Sequence, residues 1–327
     1  MKSIIRLIIM TLTLLPIGCN DDDKQVLSTT PIGFTAISTE SRATLVDQKE
    51  FDRAGSEFLV FADYRYNASA THPSGYGDSI ALFRSQSVVS DGNKWNYTPL
   101  QFWQQEGAYD FRAVWPSTAR VDKTSTGQAM IVNYSIVTDT CDMMVAYKHI
   151  PMPKMGNNYV GLNFYHTLTA INIIIDKESN DQQSYIIKNT YFKNLYVAGN
   201  FVHTQSPETS EALYHCWRTS YFENSKNIHE QTHNKEVPRT LGYNFMIPQE
   251  VNPAGTPDEK KAKLCYTLNI NGTESATETE LPYIKWLPGN KYTYRVIIKG
   301  SDAKIEVITT KWDEVDILID DIIGKIE

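Results

Sequence analysis

Tyr109-Asp110-Phe111-Arg112-Ala113-Val114-Trp115-Pro116 is the stretch whose reading decides the fold. Aromatic or apolar side chains alternate with polar ones, so an extended chain would turn one face to a core and the other to water. The run stops at Trp115-Pro116, because proline has no N–H to continue a ladder. Upstream, 58–64, 79–83 and 95–100 carry the same two-residue period, and downstream so do 128–137 and 143–147. Residues 151–158 hold two prolines, a glycine and two asparagines, the composition of a connector. The pattern restarts at 159–165 and the long apolar run 168–175, then at 191–198, 241–247, 263–270 and 283–286. Pro288-Gly289-Asn290 sets a turn, and 292–298 with 305–310 follows as a hairpin. No helical stripe interrupts this series. The expectation is an all-β chain of two β-sandwiches, 31–155 and 156–327, with 199–240 as a long polar loop.

The chain begins with Lys2 and Arg6 around a short apolar run, 4–15, the proportions of a signal peptide over 1–18. Pro16-Ile17-Gly18-Cys19 then offers Cys19 for acylation, palmitate included, with ordinary secretion as the alternative. Residues 19–30 would be a tether, opening with the solvated acidic run Asp21-Asp22-Asp23. An acyl anchor of several chains would hold the protein stably at the outer membrane and cell surface. The net charge of −7 is spread over mixed charges without a basic tract, which argues against nucleic acid as a partner. With Cys19 acylated, Cys141, Cys216 and Cys265 remain, and three thiols cannot all pair.

Nothing in the chain asks for a cofactor, and no enzyme is expected. His229-Glu230-Gln231-Thr232-His233 matches a zinc-protease pattern, in which two imidazoles one helical turn apart hold the metal and the glutamate activates water. Its flanks are polar and give a helix no face to bury, so His229, Glu230 and His233 are read as incidental. Trp95, Tyr97, Phe102 and Trp103 either stack a sugar or fill a sandwich core. His166 reads as a strand-end histidine with a partner, not as a general base.

Several phrases, in order along the chain, resemble the fimbrillin family, the lipoprotein pilins of Bacteroides and Porphyromonas relatives. They are Glu40-Ser41-Arg42-Ala43-Thr44, Trp95-Asn96-Tyr97-Thr98-Pro99, the 109–116 strand and Asp142-Met143-Met144-Val145-Ala146. Phe164-Tyr165-His166-Thr167-Leu168 and Trp286-Leu287-Pro288-Gly289-Asn290-Lys291-Tyr292 continue the series. The resemblance implies two transthyretin-like β-sandwiches in tandem and a structural or tip subunit of a fimbrium. It also implies assembly by strand exchange with other pilin subunits, and adhesion to a host or bacterial surface glycan or protein. On that reading a protease cuts after Arg42, or after Arg53, and removes the first strand, 31–39, with Phe34 and Ile37. A neighbour's strand then satisfies the open edge and fills its pockets. Val315, Ile317 and Ile319 are donor-strand candidates. Arg42 as a plain surface arginine remains the alternative, as does a lipid-anchored glycan-binding protein.

Overall fold

A computed structural model describes residues 29–38, 48–66, 79–104, 107–122, 130–136, 138–139, 141–151, 158–203, 209–223, 228–231, 235–236 and 239–311. The chain is all-β, and among the described residues the short helices are α1 (Gln48–Asp52) and α2 (Ser210–Tyr214), with a 3₁₀ turn at Asp258–Lys260. Strands β1 (Gly33–Ser38), β2 (Glu57–Tyr66), β3 (Ser79–Ser90), β4 (Trp95–Asn96) and β5 (Gly107–Trp115) join β8 (Met144–Ile150) and β9 (Tyr159–His166) in a closed barrel. Their order is β1-β4-β3-β2-β5-β8-β9, and β9 closes the ring by running parallel to β1, from Gly33↔Tyr159 to Ser38↔Phe164. The barrel core is aromatic: Phe34, Phe51, Phe58, Phe83, Phe111 and Phe164 meet inside it.

A second core lies outside the barrel. Strands β6 (Arg120–Asp122), β7 (Met130–Ser135), β12 (Leu195–His203) and β13 (Trp217–Glu223) form one sheet, ordered β13-β12-β7-β6. A second sheet sets β10 (Thr169–Lys177) between β16 (Arg239–Met246) and β21 (Asn290–Lys299), with β22 (Asp302–Lys311) at the edge. The third joins β11 (Tyr185–Lys193), β14 (Ile228–Gln231), β18 (Lys263–Ile270) and β19 (Thr273–Glu280), with β15 (Lys235–Glu236) also on β11. A two-stranded pair, β17 (Glu250–Val251) and β20 (Ile284–Lys285), completes the set. The apolar run of β10 is buried on both faces, as a strand inside a sheet and under a second layer must be.

The division expected at 155/156 does not separate these strands. Strand β9, beyond it, belongs to the barrel, while β7, before it, pairs with β12 of the second half and carries β6 on its other edge. Val114 and Val145, on barrel strands, belong to the second core along with Leu168 and Ile171. The outer face of β5 is therefore covered. Its polar residues do not face water: Asp110 and Arg112 are buried nearly as deeply as Phe111 between them.

The stretch 199–240 is also a correction. It carries the end of β12, α2, β13, β14, β15 and the start of β16, where a loop was expected. Each piece is short and rich in polar residues, so pairing with β12, β11 or β10 supplies the order that local periodicity does not announce.

Strand β5 starts at a glycine for a steric reason. A Cβ on Gly107 would stand 2.4 Å from the Arg65 carbonyl oxygen and 2.2 Å from the Tyr64 ring. Gly107→Ala is expected to cost about 1–3 kcal/mol, read as a lower urea midpoint; an unchanged midpoint would show that the strand ends can part freely.

Candidate functional site

The site is built on β1, which stands where the first strand was expected. Ile32, Phe34, Ala36 and Ser38 point into the barrel, whereas Ile37 is turned outward and is 56% exposed. The two-residue period thus splits the two apolar candidates, and only Phe34 is a core residue. Its ring meets those of Phe58, Phe83, Tyr97 and Phe111 edge-on, at centroid distances of 6.2, 5.6, 5.5 and 6.1 Å.

The two edges of β1 are held very differently. On one side the parallel ladder to β9 runs the length of the strand. On the other, the register to β4 is the single pair Phe34↔Trp95. Before it, Ile32 N–H donates to the Gln101 carbonyl at 2.8 Å and Trp103 N–H to that of Thr30 at 3.2 Å. The Tyr97 hydroxyl donates to the Ile32 carbonyl at 2.7 Å. A groove of about 610 Å³ runs alongside, lined by Thr35, Ala36, Lys94, Trp95, Tyr97 and Leu100 among others.

These contacts also settle the aromatic set. Trp103 is buried edge-on against Tyr109, Trp95 packs on Phe51 and Phe58, and Tyr97 on Phe34 and Phe83. They fill the barrel core rather than form a sugar platform; Phe102 alone of the four is exposed.

Arg53 follows α1 as an exposed turn residue, 4.0 Å from Glu50. Cys19, Arg42, His233, Val315, Ile317 and Ile319 lie outside the described residues. His229 and Glu230 are on the strand β14, where neighbouring positions alternate between faces, so the helical spacing of the zinc pattern is not present there. Among the described residues no group of His, Cys, Asp and Glu side chains is placed to hold a metal ion. Cys141, Cys216 and Cys265 are unpaired thiols, and burial pushes Cys265 up to about 11. His166 is buried, with Nδ1 2.5 Å from the Asp142 carboxylate, which matches the reading of a partnered strand-end histidine.

A family model described as fimbrillin-like matches residues 41–312. The chain belongs to the fimbrillin-like family. Among solved structures, it is similar to a fimbrial protein from Bacteroides vulgatus, at 14% identity and a TM-score of 0.61. That match covers 86% of this chain and 99% of the other. It is also similar to a candidate cell adhesion protein from Bacteroides ovatus, at 13% identity and a TM-score of 0.50, over 88% of this chain and 99% of that one. At such identities the likeness is one of fold. No curated protein sequence matches this one. In this fimbrillin-like chain, the residue that sequence reading passed over is Tyr97 as the clasp of β1. Its place in the Trp95-Asn96-Tyr97 phrase was the only signal of it.

Proposed function

We propose that this fimbrillin-like protein is a pilin-type adhesion subunit of the bacterial surface, exported as a lipoprotein acylated at Cys19 and joined to its neighbours by strand exchange. One observation carries the reading: β1 supplies the ring at the centre of the barrel core, yet along one edge its ladder is the single pair Phe34↔Trp95, the other bonds there being gathered before the strand at residues 30–32. A strand so placed leaves an aromatic groove when it departs, and a neighbour's strand can refill it with main-chain hydrogen bonds and alternate side chains. The donor in this reading is the segment holding Val315, Ile317 and Ile319. The two cores, rather than the halves of the sequence, would be the transthyretin-like units, with residues 19–30 as the tether to the outer membrane.

Geometry favours Arg42 over Arg53 as the processing point. A cut after Arg53 would release α1 as well, and with it Phe51, which is wholly buried against Trp95, Trp115 and Phe164. A cut after Arg42 would leave that plug in place.

Limited digestion of the unacylated protein with an arginine-specific protease tests this. The expected result is a single early cut after Arg42, followed by ladders of higher-order species on a sizing column and filaments by electron microscopy. A protein that stays uncut and monomeric, or that is cut and stays monomeric when mixed with uncut subunits, would overturn strand exchange.

A further inference from the structure

We propose that a second cleft, in the other half of the molecule, binds a carboxylate-bearing sugar. It lies where β12, the turn after α2, the start of β13 and the segment before β17 meet, and it has a volume of about 320 Å³. That is at the lower end of small-ligand sites and suits one or two sugar rings. The site is distinct from the groove beside β1 and does not depend on strand exchange.

Three aromatic side chains line the cleft: Tyr196, Tyr214 and Trp217. Tyr196 and Tyr214, both half-buried, each offer an apolar ring with a polar edge, the complement of a pyranose, whose C–H face is apolar and whose rim is hydroxyl, while the buried Trp217 forms the floor. The rings are fixed from behind. Trp217 Nε1 donates to the Thr167 carbonyl at 2.8 Å. The buried Gln249 side chain is a positioning group: its Oε1 accepts from Tyr196 N–H at 2.8 Å, and its Nε2 donates to the Tyr196 carbonyl at 3.2 Å and the Ile247 carbonyl at 3.1 Å. Strand β12 and the Pro248–Glu250 segment are thus clamped together.

The charges around the cleft divide into used and unused ones. Glu211 pairs with both His215, at 3.1 Å, and Lys285, and Lys285 Nζ also sits 4.2 Å over the Tyr214 ring. Those side chains are committed. Arg218 is different: its Nη1 donates to the His215 and Trp217 carbonyls at 2.5 and 2.9 Å, which orients the guanidinium. Among the described residues it makes no ion pair, and neither does the exposed Glu250 on the cleft's rim. A guanidinium held by one nitrogen, with the rest of its fork unoccupied, matches a carboxylate. Glu250 supplies acceptors for sugar hydroxyls. The chain's net charge of −7 does not draw anions in from a distance, so selectivity for an acid falls on Arg218 alone.

The test is saturation-transfer NMR on the full chain with methyl β-glucuronide and its neutral twin, methyl β-glucoside, with the fold of each variant checked by circular dichroism. The acid is expected to bind about tenfold more tightly than the twin, the loss of one charge-assisted contact. Arg218→Gln, a surface change, should erase that difference, and Tyr214→Ala should weaken both sugars. Lys188→Ala, on another sheet, should change neither. Equal binding of the twins, no transfer from the acid, or a preference that survives Arg218→Gln would each overturn the proposal.

Discussion

Phe34→Ala is expected to lower the unfolding free energy of the full chain by about 3–5 kcal/mol, one of the two largest effects of a single change. The side chain is 2% exposed and surrounded by four rings, three from different strands and one, Tyr97, from just past β4. Phe58 and Phe111 belong to barrel strands paired on both sides, so they cannot follow a truncated neighbour inward, and a cavity remains. Ile37→Ala, two residues beyond Thr35 on the same outward face and turned to solvent, is the control, with an effect within about 0.5 kcal/mol. Urea unfolding with unchanged slope measures both. A Phe34 loss no larger than that of Ile37 would mean that β1 is not part of the cooperative core. The pair also bears on assembly. If β1 leaves on processing, Phe34→Ala destabilises the uncut protein while the cut and assembled form keeps its wild-type stability, because the residue is no longer there.

What could be read from the sequence follows the reach of the forces involved. The run 168–175, the turn Pro288-Gly289-Asn290 and the hairpin that follows it were legible because their signals are local: a continuous apolar stretch, a turn that Gly289 enters at φ 69°, and two alternating strands. Strand β19 passed unnoticed. Its Thr-Glu-Ser-Ala-Thr-Glu-Thr-Glu sequence has no apolar face, and its glutamates are balanced by Lys188, Lys193 and Lys263 across the sheet. Only Asn271-Gly272, both at positive φ, announced the hairpin that forms it. The polar face of β5 was legible as polar and misread as exposed, since the groups that engage it, Asp63, Arg65, Tyr147 and His149, stand on β2 and β8, far away in sequence. The sugar cleft was out of reach for the same reason. Tyr196, Arg218 and Glu250 are brought together by the β12–β13 register and the Gln249 clamp, and no local pattern encodes either.

That covered polar face gives the second large effect. Arg112→Met, which keeps volume and removes the charge, is expected to cost about 3–5 kcal/mol near neutral pH. Arg112 Nη1 lies 3.3 Å from the Asp63 carboxylate, both groups are nearly out of water, and the guanidinium stacks over Tyr147 at 5.5 Å. Burial holds the Asp63 carboxyl above its ordinary range, and the Arg112 charge is the main influence opposing that rise. Without it Asp63 titrates higher still. A carboxyl raised in the folded state contributes stability at low pH that is lost as pH rises through its folded value, so the variant's deficit should shrink between pH 7 and about pH 5. Neighbouring Asp110 works in the opposite direction. Burial would raise it, but hydrogen bonds from Tyr147 at 2.7 Å and His149 at 2.8 Å, together with Arg65, bring it below its ordinary range. Its contribution is lost only in stronger acid, so the two carboxyls separate on the pH axis. The double change Asp63→Asn with Arg112→Met should recover most of the loss, because the cost is that of an uncompensated buried charge rather than of a missing contact. Equal deficits at both pH values, with no recovery in the double variant, would instead assign the cost to lost packing over Tyr147. The covered face would then hold the two cores together by shape, and its charges would add nothing.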